Sequence, residues 1–337
     1  MSLDRPVVLV VGAASRDLVA DDPRGWRLGG AVCFASLALA RFGFEAWAVV
    51  GADREAAGAH ELELLRSAGV ILATADLASG PVFDNIRHVL HSTADPVPLT
   101  ALPRRWTSGF DGVLFAPVAA ELGDDWAGLV TGEAMPVVGL GGPVLGRAGP
   151  VVGLAGPVVG LGWQGLIRHL VAGDLVRPVA PVSSALVRSA HRVVVSREDV
   201  APDTRAEDLV PLLNPSAQLA LTEGTRGGMV LRRDEPDGRI VATRYPAIPS
   251  SRVVDPTGAG DVFLAAWLAA TIRPSIADPY DPVTFASAAG SLAVEGPGLA
   301  GVPDLAAVRD RMTLAPSLAS RRPSADSSRT SGRPSQA

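Results

Sequence analysis

Two aspartates bracket a turn of small residues in Asp255-Pro256-Thr257-Gly258-Ala259-Gly260-Asp261, and an unbroken apolar run over 262–270 follows. The run has no helix breaker before Pro274, so it reads as a buried helix whose first turn carries Asp261. Small residues at Gly258, Ala259 and Gly260 let backbone N–H groups converge at the helix start. Unpaired N–H groups and the helix dipole favour an anion there. A carboxylate in that turn can take a proton from a ligand hydroxyl that reaches it. A glycine turn with a helix-start acid is the structural alternative, so other features of the chain must decide.

A second acid, Asp17, lies in Gly12-Ala13-Ala14-Ser15-Arg16-Asp17, at the exit of the apolar run Val7-Val8-Leu9-Val10-Val11. In an open parallel sheet, ligands bind just beyond such strand ends. Asp17 could accept bonds from ligand hydroxyls there. Gly29-Gly30 opens a helix of small and apolar residues that Gly43 closes, and paired glycines permit close approach of backbone to a ligand. Further on, Thr222-Glu223-Gly224-Thr225-Arg226-Gly227-Gly228 leaves a strand for a glycine loop.

Composition narrows the chemistry. The chain has 337 residues, 47% of them hydrophobic, and a formal net charge of −5. That suits one large α/β domain or two smaller ones. None of the 30 basic residues is a lysine, which excludes a Gly-Lys-Ser/Thr phosphate loop and a lysine Schiff base. Phosphate would have to be met by backbone N–H groups, arginine or a metal. Scattered arginines on a slightly acidic chain argue against nucleic acid. No apolar run is long enough for a membrane helix, and the N-terminus lacks a signal-peptide pattern. Cys33 is the sole cysteine, so neither a disulfide framework nor a Cys-rich zinc site is expected. The expected location is cytoplasmic.

The positioning elements alternate strand and helix, which indicates a doubly wound, mostly parallel sheet flanked by helices. Strands are expected at 6–12, 46–53, from 70, at 112–117, 191–199 and 219–222, with an acidic helix over 55–68. Residues 80–106 differ: Phe83 to His91 alternates like an exposed strand, and this region reads as a small β flap. Residues 229–231 and 239–242 read as a hairpin around Asp237-Gly238. Residues 136–163 hold four heptads beginning at Pro136, Pro143, Pro150 and Pro157. Proline and glycine in every copy exclude a coiled coil. The fold needs one copy, most plausibly the last, and the others form an insertion. Residues 283–294 read as a helix of small residues, and from 316 the chain reads as a disordered tail. One domain over 1–315 is expected.

The Gly29-Gly30 helix, the loop from Thr222 to Gly228 and the motif from Asp255 to Asp261, in that order, resemble the ribokinase-like (PfkB-type) carbohydrate kinase family over roughly residues 6–312. The resemblance implies transfer of the ATP γ-phosphoryl group to a hydroxyl of a sugar, an inositol-like polyol or a nucleoside. It casts Asp261 as the base and Gly258, Ala259 and Gly260 as the backbone anion hole. Thr222, Gly224, Gly227 and Thr257 fall on the nucleotide side, with residues 284–292 bordering adenine. Asp17, Gly29 and Gly30 fall on the acceptor side, with Asn85 and Arg87 contacting substrate from the flap. ATP and Mg²⁺ are the implied cofactors, with Arg168 or Arg252 as candidate phosphate partners. A small-molecule sugar or polyol is the implied partner, and a homodimer is left open.

One segment departs from that pattern. The family often carries Asn-x-x-Glu after a central strand to organise Mg²⁺-bound water and phosphate, and here the place reads Ser196-Arg197-Glu198-Asp199. Ser196 and Asp199 would then serve with shorter reach. This departure and the apolar repeat keep a second expectation open: a ligand-binding or interaction protein that retains the kinase fold without catalysis. A Rossmann dinucleotide site is excluded by the missing Gly-x-Gly-x-x-Gly after the first strand.

Overall fold

The apolar run near the N-terminus forms β1 (Val7–Ala13), buried from Val8 onward, as a strand covered on both faces must be. The structure, a computed structural model, describes residues 5–106, 109–131, 156–234 and 237–313. The first half continues through β2 (Ser15–Leu18), β3 (Trp26–Gly29), α1 (Ala31–Arg41), β4 (Glu45–Ala52), α2 (Arg54–Ala57), α3 (Glu61–Ser67) and β5 (Ile71–Asp76). Then come β6 (Val82–Asp84), β7 (Val89–Ser92), β8 (Gly112–Phe115) and α4 (Gly128–Thr131). The second half holds β9 (Val158–Gly162), β10 (Arg168–His169), β11 (Arg177–Pro178), α5 (Ala185–Ser189), β12 (Arg192–Ser196) and α6 (Ala206–Leu209). It ends with β13 (Gln218–Thr222), β14 (Gly228–Arg233), β15 (Ile240–Tyr245), α7 (Ala259–Ile272), α8 (Pro282–Ala293) and α9 (Leu305–Thr313).

Nine strands form the main sheet in the order β15-β14-β13-β12-β9-β8-β1-β4-β5. Pairing is parallel from β13 to β5, and β14 and β15 add an antiparallel edge, the hairpin expected around Gly238. The chain builds outward from β1 through β4 and β5, then returns to β8 and builds the other way. The crevice at such a reversal, beyond the strand C-termini, is where ligands bind in open α/β sheets. Buried Glu121 braces that rim. Its carboxylate accepts N–H bonds from Ala13 at 2.8 Å, Val118 at 3.0 Å and Ala119 at 2.7 Å, joining the ends of β1 and β8.

The last heptad supplies β9, in the middle of the sheet between β8 and β12. It packs under α7, where a Cβ on Gly160 would make only ordinary contact, 3.5 Å from Leu264 and Leu268, so the packing does not itself demand glycine there. The first three heptads lie outside the described residues, apart from Gly156. The tail from 316 also lies outside them. Helix α7 is buried over 262–270, so its apolar run needs no polar face. Trp267, bulky for such a helix, is accommodated with 1% exposure. Phe263 meets its ring edge-on at 6.3 Å, and the Arg192 guanidinium sits 5.5 Å from the ring centre. Among the described residues no helix is long and apolar enough to cross a membrane.

Three expectations change. The helix expected over 55–68 is two short helices, α2 and α3, because Gly58 ends the first. The flap expected at 80–106 extends beyond that region: β6 and β7 join β2 and β3 in a four-stranded sheet, β3-β2-β6-β7. The loop carrying Asp17 is itself a strand of that sheet. The single strand expected from Phe83 to His91 breaks into β6 and β7 around a turn at 85–88, where Asp84 Oδ1 accepts the Arg87 N–H at 2.9 Å.

Candidate active site

The start of α7 faces a cleft lined by Ser196, Asp199, Thr222, Gly260 and Asp261, with Gln164 and Ala31 among their neighbours. Gly258 caps the helix in the left-handed region, at φ 81°. A Cβ there would stand 2.3 Å from the Phe34 ring, so packing and conformation both demand glycine. Asp255 fixes the turn: its Oδ1 accepts the Thr257 N–H at 2.9 Å and its Oδ2 the Gly298 N–H at 3.0 Å. The first α-helical bond runs from the Val262 N–H to the Gly258 carbonyl. The N–H groups of Gly258, Gly260 and Asp261 therefore have no partner among the described residues. Ala259 differs, since its N–H makes a 3.3 Å bond to the Pro256 carbonyl. The donors left free at this turn are thus the N–H groups of Gly258, Gly260 and Asp261, where Gly258, Ala259 and Gly260 were expected. A Cβ on Gly260 would meet nothing within 4 Å, so this glycine borders open space.

Asp261 keeps part of its surface on the cleft. Dense packing around it pushes its pKa from 3.8 up to about 7; the nearby Arg168 charge opposes the rise, and Asp199 and Asp17 add to it. A carboxylate poised near neutrality suits proton transfer.

Of the residues expected on the acceptor side, Asp17 and Gly29 lie on strands of the small sheet. In the β2–β3 pair Ser15 lies opposite Gly29, and the Ser15 hydroxyl donates to Asp17 Oδ1 at 2.9 Å. A Cβ on Gly29 would sit 2.1 Å from Asp17 Oδ2, so the glycine makes space for that carboxylate. Gly30 caps α1 at φ 95°, against the Ala13 carbonyl. Asp17 is 8% exposed, and burial raises its pKa to about 6. The Ser15 hydrogen bond and the nearby Asn85 side chain moderate the rise, and the Asp255 charge adds to it. Asn85 thus lies near Asp17, on the flap turn. Arg87 does not: its side chain is 79% exposed and lies 3.8 Å from Asp84, at the outer end of the turn.

On the opposite wall, Thr222 ends β13 beside Ser196, which ends β12. Gly227 turns the following loop at φ 82°, where a Cβ would meet the Tyr245 carbonyl at 2.2 Å. Gly224 (φ 57°) borders open space. Ser196 and Asp199 form a reciprocal cap, and Asp199 also receives Arg168. That ion pair spans 31 residues of sequence, so no local pattern could reveal it. Arg252 is engaged elsewhere, its Nε donating to the Glu295 carbonyl at 3.1 Å.

Residues 191–305 match the family described as pfkB family carbohydrate kinase, a span that contains β12, the glycine loop and the whole α7 motif. No curated protein matches the sequence. Solved structures resemble the fold throughout. A pyrophosphate-dependent kinase in the ribokinase family, complexed with a pyrophosphate analog and myo-inositol, is 18% identical, with TM-score 0.59 over 86% of this chain and 96% of its own. Ribokinase from Giardia lamblia is 15% identical, with TM-score 0.61 over 92% and 99%. Arabidopsis thaliana ribokinase complexed with ribose and ATP is 16% identical, with TM-score 0.58 over 91% and 99%. At such identities the likeness establishes the ribokinase-like fold.

Proposed function

We propose that this chain, a pfkB-family protein on the ribokinase-like fold, transfers the γ-phosphoryl group of ATP to a hydroxyl of a sugar, an inositol-like polyol or a nucleoside. One observation supports this most: a carboxylate with pKa near 7 stands in the same helical turn as unpaired N–H groups, on a cleft that the flap acid Asp17 approaches. A base and an anion site so close together fit hydroxyl activation beside a transferring phosphoryl group.

In the reaction the acceptor hydroxyl gives its proton to Asp261. Its oxygen forms the new bond to phosphorus as the bond to the ADP oxygen breaks. The N–H groups at the start of α7 meet the negative charge on the transferring group. Asp17 holds acceptor hydroxyls, which orients the attacking one. Residues 222–228 and α8 would hold the nucleotide.

The residues do not form a cage for Mg²⁺. Among the described residues no group of three metal-ligating side chains occurs, and Asp199 is engaged by Arg168 and the Ser196 N–H. Mg²⁺ would arrive on the nucleotide phosphates, and none of these steps runs through it. An ATP-consumption screen over pentoses, hexoses, inositols and nucleosides tests the reading. Turnover with one acceptor class is the expected result. Ligand binding without turnover for every acceptor would favour the non-catalytic alternative.

A further inference from the structure

We propose that Arg168, clamped by the buried carboxylate of Asp199, is the side-chain cation that meets the phosphoryl donor beside Asp261, and that Asp199 acts as its positioning residue. This deepens the phosphotransfer reading and rests on it for its catalytic part.

The geometry is specific. Arg168 follows β9 and Asp199 follows β12, so both lie beyond the C-terminal ends of adjacent parallel strands. Asp199 is 3% exposed. Its Oδ1 accepts from Arg168 Nε at 2.9 Å and from Nη2, and its Oδ2 accepts the Ser196 N–H at 3.3 Å. Both carboxylate oxygens are thus spent on holding the arginine and the turn. Arg168 Nη1 has no hydrogen-bond partner among the described residues, and the side chain keeps 23% exposure. A guanidinium fixed along one edge and open at another is preorganised to bond an anion.

Charge accounting points the same way. The chain has no lysine, and no arginine is among the side chains lining the cleft. Acids approach Asp261 from several elements: Asp17 from β2 and Asp199 after β12, with the Cys33 thiol of α1 nearby. Arg168 is paired with Asp199, which lines the cleft, and its charge lowers the Asp261 pKa. A polyphosphate entering this acidic cleft needs a compensating charge, and backbone N–H groups supply only partial ones.

The same segment touches the flap. The Gly173 N–H donates to the Leu90 carbonyl at 2.7 Å and the Val176 N–H to the His88 carbonyl at 2.7 Å, docking the β10–β11 hairpin against β7. The root of that hairpin carries Arg168. The arginine is therefore braced from the sheet by Asp199 and from the flap by its own hairpin.

The test uses full-length Arg168→Gln, Arg168→Lys, Asp199→Asn and the double variant Arg168→Gln/Asp199→Asn. The double variant leaves no unpaired buried charge, so it remains informative if a single variant fails to fold. Calorimetry with ATP as the probe should show binding weakened at least ~10-fold in Arg168→Gln and in the double variant, with Arg168→Lys intermediate. Turnover in Arg168→Gln should fall ~10²–10³-fold with the acceptor KM little changed. Asp199→Asn should add nothing in the double variant, because it acts through Arg168. The acid limb of the rate profile should move to higher pH in Arg168→Gln and to lower pH in Asp199→Asn, since the two charges pull Asp261 oppositely. ATP affinity unchanged by Arg168→Gln, or losses that multiply in the double variant, would overturn the inference. A wild-type protein that transfers no phosphoryl group would instead sink the reading beneath it, while the calorimetric result would still decide whether Arg168 meets the donor.

Discussion

Asp261→Asn should make the protein worse at chemistry and more stable at once. Burial lifts the Asp261 pKa from 3.8 to about 7, so the folded state binds a proton more tightly than the unfolded chain does. Between about pH 4 and pH 7 the folded state is the more protonated, so stability falls as pH rises through that window. At ~1.4 kcal/mol per pH unit, the ionised carboxylate costs the fold roughly 4 kcal/mol by about pH 8. Asparagine removes that cost, less whatever its own amide loses by burial. The variant should therefore unfold at higher urea than wild type near pH 8, by roughly 2–4 kcal/mol, and the difference should vanish near pH 4. Some pH dependence should survive in the variant, because burial also raises Asp17, to about 6. Turnover should fall by ~10²–10⁴-fold with ATP binding largely kept. Equal stability of the two proteins near pH 8, or a wild-type rate profile without an ionisation near 7, would refute the reasoning.

Other substitutions separate the parts of the site. Gly258→Ala should cost roughly 2–4 kcal/mol, since it forces a side chain at φ 81° into the Phe34 ring, and a melting curve reads this. Gly260→Ala has open space for its methyl group, so the melting temperature should hold or rise while turnover drops as the methyl intrudes on the cleft. Asp17→Asn should raise the acceptor KM ~10-fold or more while leaving the ATP KM nearly unchanged, as expected for a lost charge-assisted hydrogen bond. Deleting residues 136–156 should leave soluble protein with wild-type cooperativity, because β9 begins at Val158; insoluble protein would show that the upstream heptads matter.

Much of the frame was legible because its signals are local. The unbroken apolar runs of β1 and α7 mark doubly covered elements, and Gly258 to Asp261 carries its chemistry in consecutive residues. The flap was harder. Ser15-Arg16-Asp17-Leu18 has polar residues where a core strand would have apolar ones, and its pairing with Trp26–Gly29 comes from tertiary contact. Its charges are explained by partners distant in sequence, such as Arg16 Nη2 donating to Asp53 at 2.7 Å. Asn85 and Arg87 looked equivalent in sequence, yet the turn at 85–88 leaves Asn85 near Asp17 and Arg87 in solvent. Ser196 and Asp199 read as substitutes for a metal-organising pair, and local sequence could not show that Arg168 arrives from another strand end to pair with Asp199.

The most direct test is detection of the phosphorylated product. Purified protein would be incubated with ATP and each acceptor, and the acceptor examined by mass spectrometry and phosphorus NMR, with pyrophosphate as a parallel donor. The account predicts a phosphorylated sugar, polyol or nucleoside from ATP in the wild type, nearly abolished in Asp261→Asn. A wild type that binds ATP and an acceptor yet forms no phosphorylated product, or an Asp261→Asn variant as active as wild type, would contradict it.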